Sequence, residues 1–208
     1  LLLLMTSRLN PEAREKFGAP TRMAALIISI GMFAVTTLMF LGQIGDVGWN
    51  DIAFNTFEFQ ESYTWIEQLG ITWTVGVDGL SFPMVWLTTL LMPITIIATW
   101  NEKAGATYFP LMLMLGGALI GVFVALDMFM FYVFWELTLI PMFFLILMWG
   151  GEDRRYAAQK FFIYTFAASI LMLIGILIVY FHSSPVSGIS GTLTHHHFDI
   201  PLLMPVSY

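Results

Sequence analysis

Five long apolar windows are separated by polar stretches along the chain: Met23–Leu41, about Leu80–Trp100, Tyr108–Leu126, Met128–Trp149 and about Ala157–Phe181. Each approaches the ~20 apolar residues that a helix needs to cross a bilayer. Leu1–Met5 reads as the tail of a further helix, and Ile200–Tyr208 as the start of a re-entrant or amphipathic segment, with Pro201 and Pro205 against a regular helix start. Little more than Asp127 separates the third window from the fourth, so those two helices are expected to be antiparallel neighbours. The long stretch Gly42–Gly79 mixes acids (Asp46, Asp51, Glu58, Glu61, Glu67, Asp78) with aromatics such as Trp49, Tyr63, Trp65 and Trp73. That mixture suggests a packed surface cap, with a short hairpin at Thr56–Thr74. No internal repeat is visible.

Charge tests this division independently. Arg8, Arg14, Lys16 and Arg22 precede or open the first window, Lys103 lies between the second and third, and Arg154, Arg155 and Lys160 follow the fourth. Gly42–Gly79 and everything from His182 onward carry no Lys or Arg. Basic connections thus alternate with non-basic ones, as five crossings require. The positive-inside rule puts Arg8–Arg22, Lys103 and Arg154–Arg155 on the cytoplasmic or matrix side. Trp100, Tyr108, Trp149 and Tyr180, near window ends, read as an interfacial belt.

Composition agrees. The chain is 58% hydrophobic and 11% charged, with a mean hydropathy of +0.81, whereas about a quarter of residues are charged in soluble domains. The formal charge of −6 argues against a nucleic-acid partner. There are no cysteines, which excludes disulfides, thiolate-held iron–sulfur clusters and cysteine-based zinc sites in this chain. The first residue is leucine and the last stretch, "DIPLLMPVSY", is apolar, so the expectation is a fragment of a longer membrane protein.

The run "MFMFYVFWELTLIPMFFLILMWG" carries a single acid, Glu136. A charge at the bilayer centre costs roughly 2.5–3.5 kcal/mol on insertion scales. Glu136 is therefore read as a proton-carrying or ion-pairing site, against the plainer reading of a protonated acid that glues two helices. Pro141 lacks an N–H and frees the carbonyl of Leu137, either for a water or side-chain donor or as an ordinary kink. Lys160 opens the last apolar window and either snorkels to the basic face or points inward as a proton-relay member. Arg154 and Arg155 follow Glu152 and Asp153 and read as a topology anchor, with contact to a partner subunit as the alternative. The His195–His197 triplet is weak as a metal site, since consecutive side chains diverge.

"FYVFWELTLIPMFFLILMWGGEDRRYAAQKFFIYT", Phe131–Thr165, together with "GVDGLS" at Gly76–Ser81, resembles one family closely: the antiporter-like chain 4 (M-type) subunits of the proton-pumping NADH:quinone oxidoreductase, respiratory complex I. The resemblance is strong over roughly Gly76–Tyr180 and weaker elsewhere. It implies an all-α polytopic fold with inverted five-helix repeats, of which this chain would hold the end of helix one through helix six. It implies that Glu136 pairs with a lysine on a broken helix and sets its proton affinity. That lysine would lie beyond Tyr208. Lys160 matches the family's lysine at the start of helix six. The resemblance further implies a non-redox translocase subunit in a bacterial plasma membrane or mitochondrial inner membrane, with no cofactor of its own. NADH, FMN, iron–sulfur clusters and quinone would belong to partner subunits. Subunits of multisubunit sodium/proton antiporters, and of membrane-bound hydrogenases or F420H2 or ferredoxin dehydrogenases, form the alternative.

Overall fold

The computed structural model describes residues 11–42, 57–66, 71–100, 107–182, 186–187, 194–195, 198 and 200. In chain order the elements are α1 (Pro11–Phe40), β1 (Glu58–Ile66), β2 (Ile71–Val77), α2 (Ser81–Ala98), α3 (Tyr108–Val124), α4 (Met128–Trp149), α5 (Arg154–His182), β3 (Val186–Ser187) and β4 (Thr194–His195). Leu1–Met5, Lys103, His196 and His197 lie outside the described residues.

The segments are helical because a backbone in hydrocarbon must satisfy its own N–H and C=O groups, and they are apolar on nearly every face because their side chains meet lipid or neighbouring helices. Ala19–Phe40, Ser81–Ala98, Met128–Trp149 and Arg154–His182 are long and apolar enough to cross a membrane. The fifth apolar helix, α3, has 17 residues and a length of about 26 Å. It is short because Ala125 leaves the helix in extended conformation and forms an antiparallel bridge with Val75 of β2.

Consecutive helices pack side by side: α1 on α2, α2 on α3, α3 on α4 and α4 on α5. Small and hydroxylated residues make the contacts. The hydroxyls of Thr36 and Thr89 lie 2.7 Å apart, and Trp86 Nε1 donates to Thr37 Oγ1 at 3.1 Å, joining α1 to α2. A Cβ on Gly116 would stand 2.6 Å from Met92 Sδ, and one on Gly121 would enter the Phe134 ring. Those glycines let α3 approach both neighbours, as small residues do where lipid supplies no hydrophobic drive between helices. Phe143 and Phe162 meet edge to face at 5.5 Å between α4 and α5.

The acidic, aromatic connection contains an antiparallel hairpin, β1–β2, which continues past Thr74 to Val77. Its register shifts between Glu58 and Glu61, where Phe59 takes a φ of 53°. Such a left-handed aromatic residue in a strand marks a bulge. Trp65 and Trp73 of the hairpin lie over Phe129 and Phe134 of α4, at 6.2 and 6.0 Å. Among the described residues, buried apolar side chains gather in small clusters, one of which joins Ile71 of the hairpin to Ile176 and Phe198.

Candidate functional site: an acid within the membrane helices

Asp127 positions the acid-bearing helix. It is fully buried and is the N-cap of α4, accepting from Phe129 N at 2.8 Å and Met130 N at 3.1 Å. Its other oxygen accepts from the backbone N and the hydroxyl of Thr72 in β2, both at 3.3 Å. Flanking backbone bonds complete the clasp: Leu126 N to Thr74 O, Met128 N to Phe198 O and Ile200 N to Leu126 O. An acid immediately before an apolar run is a helix-start signal, so Asp127 was findable as a cap. Its partners across the hairpin were not. Asp78 and Ser81 of "GVDGLS" form a second cap. Ser81 N and Leu80 N donate to Asp78 Oδ1, and Asp78 N donates back to Ser81 Oγ. This reciprocal pattern has the form of a capping box.

Glu136 is the ninth residue of α4. Its side chain is half-buried, and Oε1 is buried without a hydrogen-bond partner among the described residues. The carboxyl lines an open cleft of about 340 Å³ with Val133, Leu137, Ile140, Phe162 and Phe166. The walls are almost wholly apolar. An unpartnered carboxylate oxygen there carries a large desolvation cost, which falls if the group is protonated or meets a cation. Tyr132, one turn earlier, faces Glu136 and also Ser169 of α5. Pro141 is buried, and α4 continues through it to Trp149. Leu137 O has no helical N–H to accept from, one residue beyond the acid.

Lys160 points elsewhere. It is exposed, its Nζ donates to the Tyr156 hydroxyl at 3.2 Å, and it stands 5.2 and 5.9 Å from the ring centres of Tyr156 and Tyr164. Phe162, which walls the Glu136 cleft, is two positions on and therefore about 200° around the helix. The structure thus does not bring Glu136 and Lys160 together.

Among the described side chains, Arg22 near the start of the apolar span Ala19–Phe40 of α1 and Arg154 and Arg155 lie where α3 and α5 begin and α2 and α4 end. The Arg22 guanidinium lies 5.3 Å from the Trp100 ring centre and 5.6 Å from that of Phe109, a cation–π arrangement. Tyr108 meets Trp149 edge to face at 5.0 Å. Arg154 donates to the carbonyl of Met148 at 3.3 Å, a cation at the negative end of α4. Among the described residues no group of three His, Asp or Glu side chains is placed to hold a metal. The side chain of His195 is outside that description.

These features can be set beside known proteins. The family described as NADH:quinone oxidoreductase/Mrp antiporter, transmembrane, matches residues 125–198, a segment that contains Asp127, Glu136 and Lys160. The F(420)H(2) dehydrogenase subunit M of Methanosarcina mazei is 38% identical over 187 residues, covering 80% of this chain and 38% of that protein. The NAD(P)H-quinone oxidoreductase chain 4-3 of Nostoc sp. is 42% identical over 178 residues, covering 84% of this chain and 30% of that protein. In fold, the chain matches respiratory complex I from Thermus thermophilus with a TM-score of 0.69 and 24% identity, over 92% of this chain and 37% of the matched one. Helices and hairpin together make an integral membrane protein whose fold is similar to that of an antiporter-like subunit. Within that class the chain is most readily compared with the M-type, or chain 4, subunits, to which it is similar over most of its own length. It spans 30–38% of the length of the two relatives named.

Proposed function

We propose that this chain is part of a proton-translocating membrane-arm subunit of a redox-driven NADH:quinone oxidoreductase. The observation that carries the reading is Glu136, a half-buried acid with one buried, unpartnered oxygen at an open apolar cleft. Such a group changes state by taking a proton or by meeting a cation, and those are the two events a relay needs. In the proposed scheme a lysine beyond this chain enters the cleft and pairs with Glu136. As the two approach, each favours the charged form of the other, so moving the lysine away lets it give up its proton and leaves Glu136 able to take one. Lys160, on another face of α5, serves a separate stretch of the path. Partner subunits hold NADH, FMN, iron–sulfur clusters and quinone; this chain has no cysteine with which to ligate a cluster.

The same proposal includes five crossings in an inverted-repeat fold, with α3 as the third. The ends bearing Arg22, Arg154 and Arg155 face the cytoplasm or matrix, and the hairpin with Glu58, Glu61 and Asp78 faces the opposite side. The clustering of cations with Trp100, Tyr108 and Trp149 supports this orientation.

Replacing Glu136 by Gln in the assembled complex, in sealed vesicles, tests the reading. Proton pumping is expected to be lost or sharply reduced while the complex still assembles; normal pumping by an intact variant complex would refute it. A second reading, a subunit of a multisubunit sodium/proton antiporter, is favoured by the family description, which spans both kinds of protein. It predicts purification without flavin and iron–sulfur proteins.

A further inference from the structure

Tyr132 and Glu136 stand one turn apart on α4, the spacing at which helix side chains meet. Ser169 faces them from α5 and is 2% exposed. Tyr132 therefore has two polar neighbours, the carboxyl on its own helix and the hydroxyl across the interface. Its ring is held beside Ile71, Ile176 and Phe198 in the cluster beneath the hairpin, so the phenol is anchored while its O–H remains free to turn.

Counting protons decides what this group can do. Ser169 Oγ donates its only hydrogen to the carbonyl of Phe166, at 2.9 Å. Toward Tyr132 it can then only accept. An ionised Glu136 has no hydrogen to give and also only accepts. Tyr132 is the donor for both, with a single O–H to share.

We infer that Tyr132 is a positioning residue for Glu136, its one O–H proton turning to the carboxylate when Glu136 is ionised and to Ser169 when Glu136 is protonated or paired with a cation. In the first state the phenol steadies the carboxylate in its apolar cleft, since a hydrogen bond to a charged acceptor is among the stronger kinds. In the second it withdraws to a neutral acceptor and leaves the carboxyl to its new partner. Proton and cation traffic at Glu136 is thereby coupled to a rotation of one hydroxyl, with no movement of either helix. The inference rests on the reading of Glu136 as a site that changes charge.

Difference infrared spectroscopy of the assembled complex in its membrane tests it. The band of Glu136 is identified as the carboxyl signal lost in Glu136→Gln. In Tyr132→Phe that band is expected to shift while its intensity remains, and pumping to fall severalfold. In Ser169→Ala, which leaves the phenol one acceptor, the band is expected to stay where it is in the ionised state, with slower pumping. A Glu136 band unmoved in Tyr132→Phe overturns the inference. A shifted band with unchanged pumping refutes the part of Tyr132 in positioning the acid for transport, while the reading of Glu136 itself stands or falls with pumping in Glu136→Gln. If Tyr132→Phe fails to assemble, Ser169→Ala decides alone: with the second acceptor gone the phenol keeps to the carboxyl, so the Glu136 band is expected to shift in the protonated state, and a band unmoved in that state overturns the inference.

Discussion

Glu136 and Lys160 face different ways although they lie on adjacent helices. The wall of the Glu136 cleft includes Phe162, whereas Lys160 projects from another side of α5 between the rings of Tyr156 and Tyr164. Two ionisable groups that sequence alone offers as members of one relay are therefore not direct partners within this chain.

Lys160→Met should accordingly leave the infrared band of Glu136 in place while lowering pumping severalfold. Vesicle pumping assays and difference spectra on one preparation check both halves. A displaced Glu136 band would mean that the two groups communicate after all.

Removing the clasp should weaken the fold more than removing the simpler cap. Asp127→Ala deletes a buried acceptor of four hydrogen bonds and is expected to destabilise the chain by about 3 kcal/mol. Asp78→Ala deletes one half of a capping box and is expected to cost about 1 kcal/mol. Thermal inactivation of the detergent-solubilised complex should rank them in that order, with Asp127→Asn milder than Asp127→Ala because its amide oxygen still accepts.

Gly121→Val should disrupt the α3–α4 contact, since even a Cβ there enters the Phe134 ring. Overpacking of this kind costs about 1–3 kcal/mol. Phe134→Ala in the same chain should restore part of the loss, because it removes the obstructing ring. Assembly yield and thermal inactivation of the single and double variants give the coupling directly.

The proposed orientation has a simple chemical check. The chain contains no cysteine, so single cysteines can be introduced at exposed sites on this background. In sealed vesicles of known sidedness, an impermeant thiol reagent applied from the cytoplasmic side should label Arg155→Cys and spare Gln60→Cys. The reverse pattern would invert the assignment.

How much of this was legible beforehand depends on the range of the forces involved. The apolar windows could be read because a bilayer imposes one length on every crossing segment. Glu136 could be read because an acid in such a run is costly wherever it points. Its surroundings could not. α4 is apolar on all sides, so no stripe shows which face meets α5, and the meeting of Tyr132 with Ser169 stayed hidden. The apolar run that follows Lys160 on α5 likewise gave no sign of the side from which it projects. Asp127 was visible as a residue between two helices, but its donor Thr72 lies 55 positions away and no local periodicity links them. The early end of α3 has the same origin: the bridge between Val75 and Ala125 takes residues that propensity would leave in the helix.

The clasp also acts as a depth gauge. From Asp127 to Glu136 is nine residues of unbroken helix, or about 14 Å, close to half the thickness of a hydrocarbon core of about 30 Å. Because Asp127 is tied to the hairpin, the acid's distance below the cap is a length of hydrogen-bonded backbone, independent of the lipid around it. A thicker or thinner bilayer can tilt the helices or stretch its own chains around them. It cannot change how far the carboxyl sits from the surface that the hairpin covers.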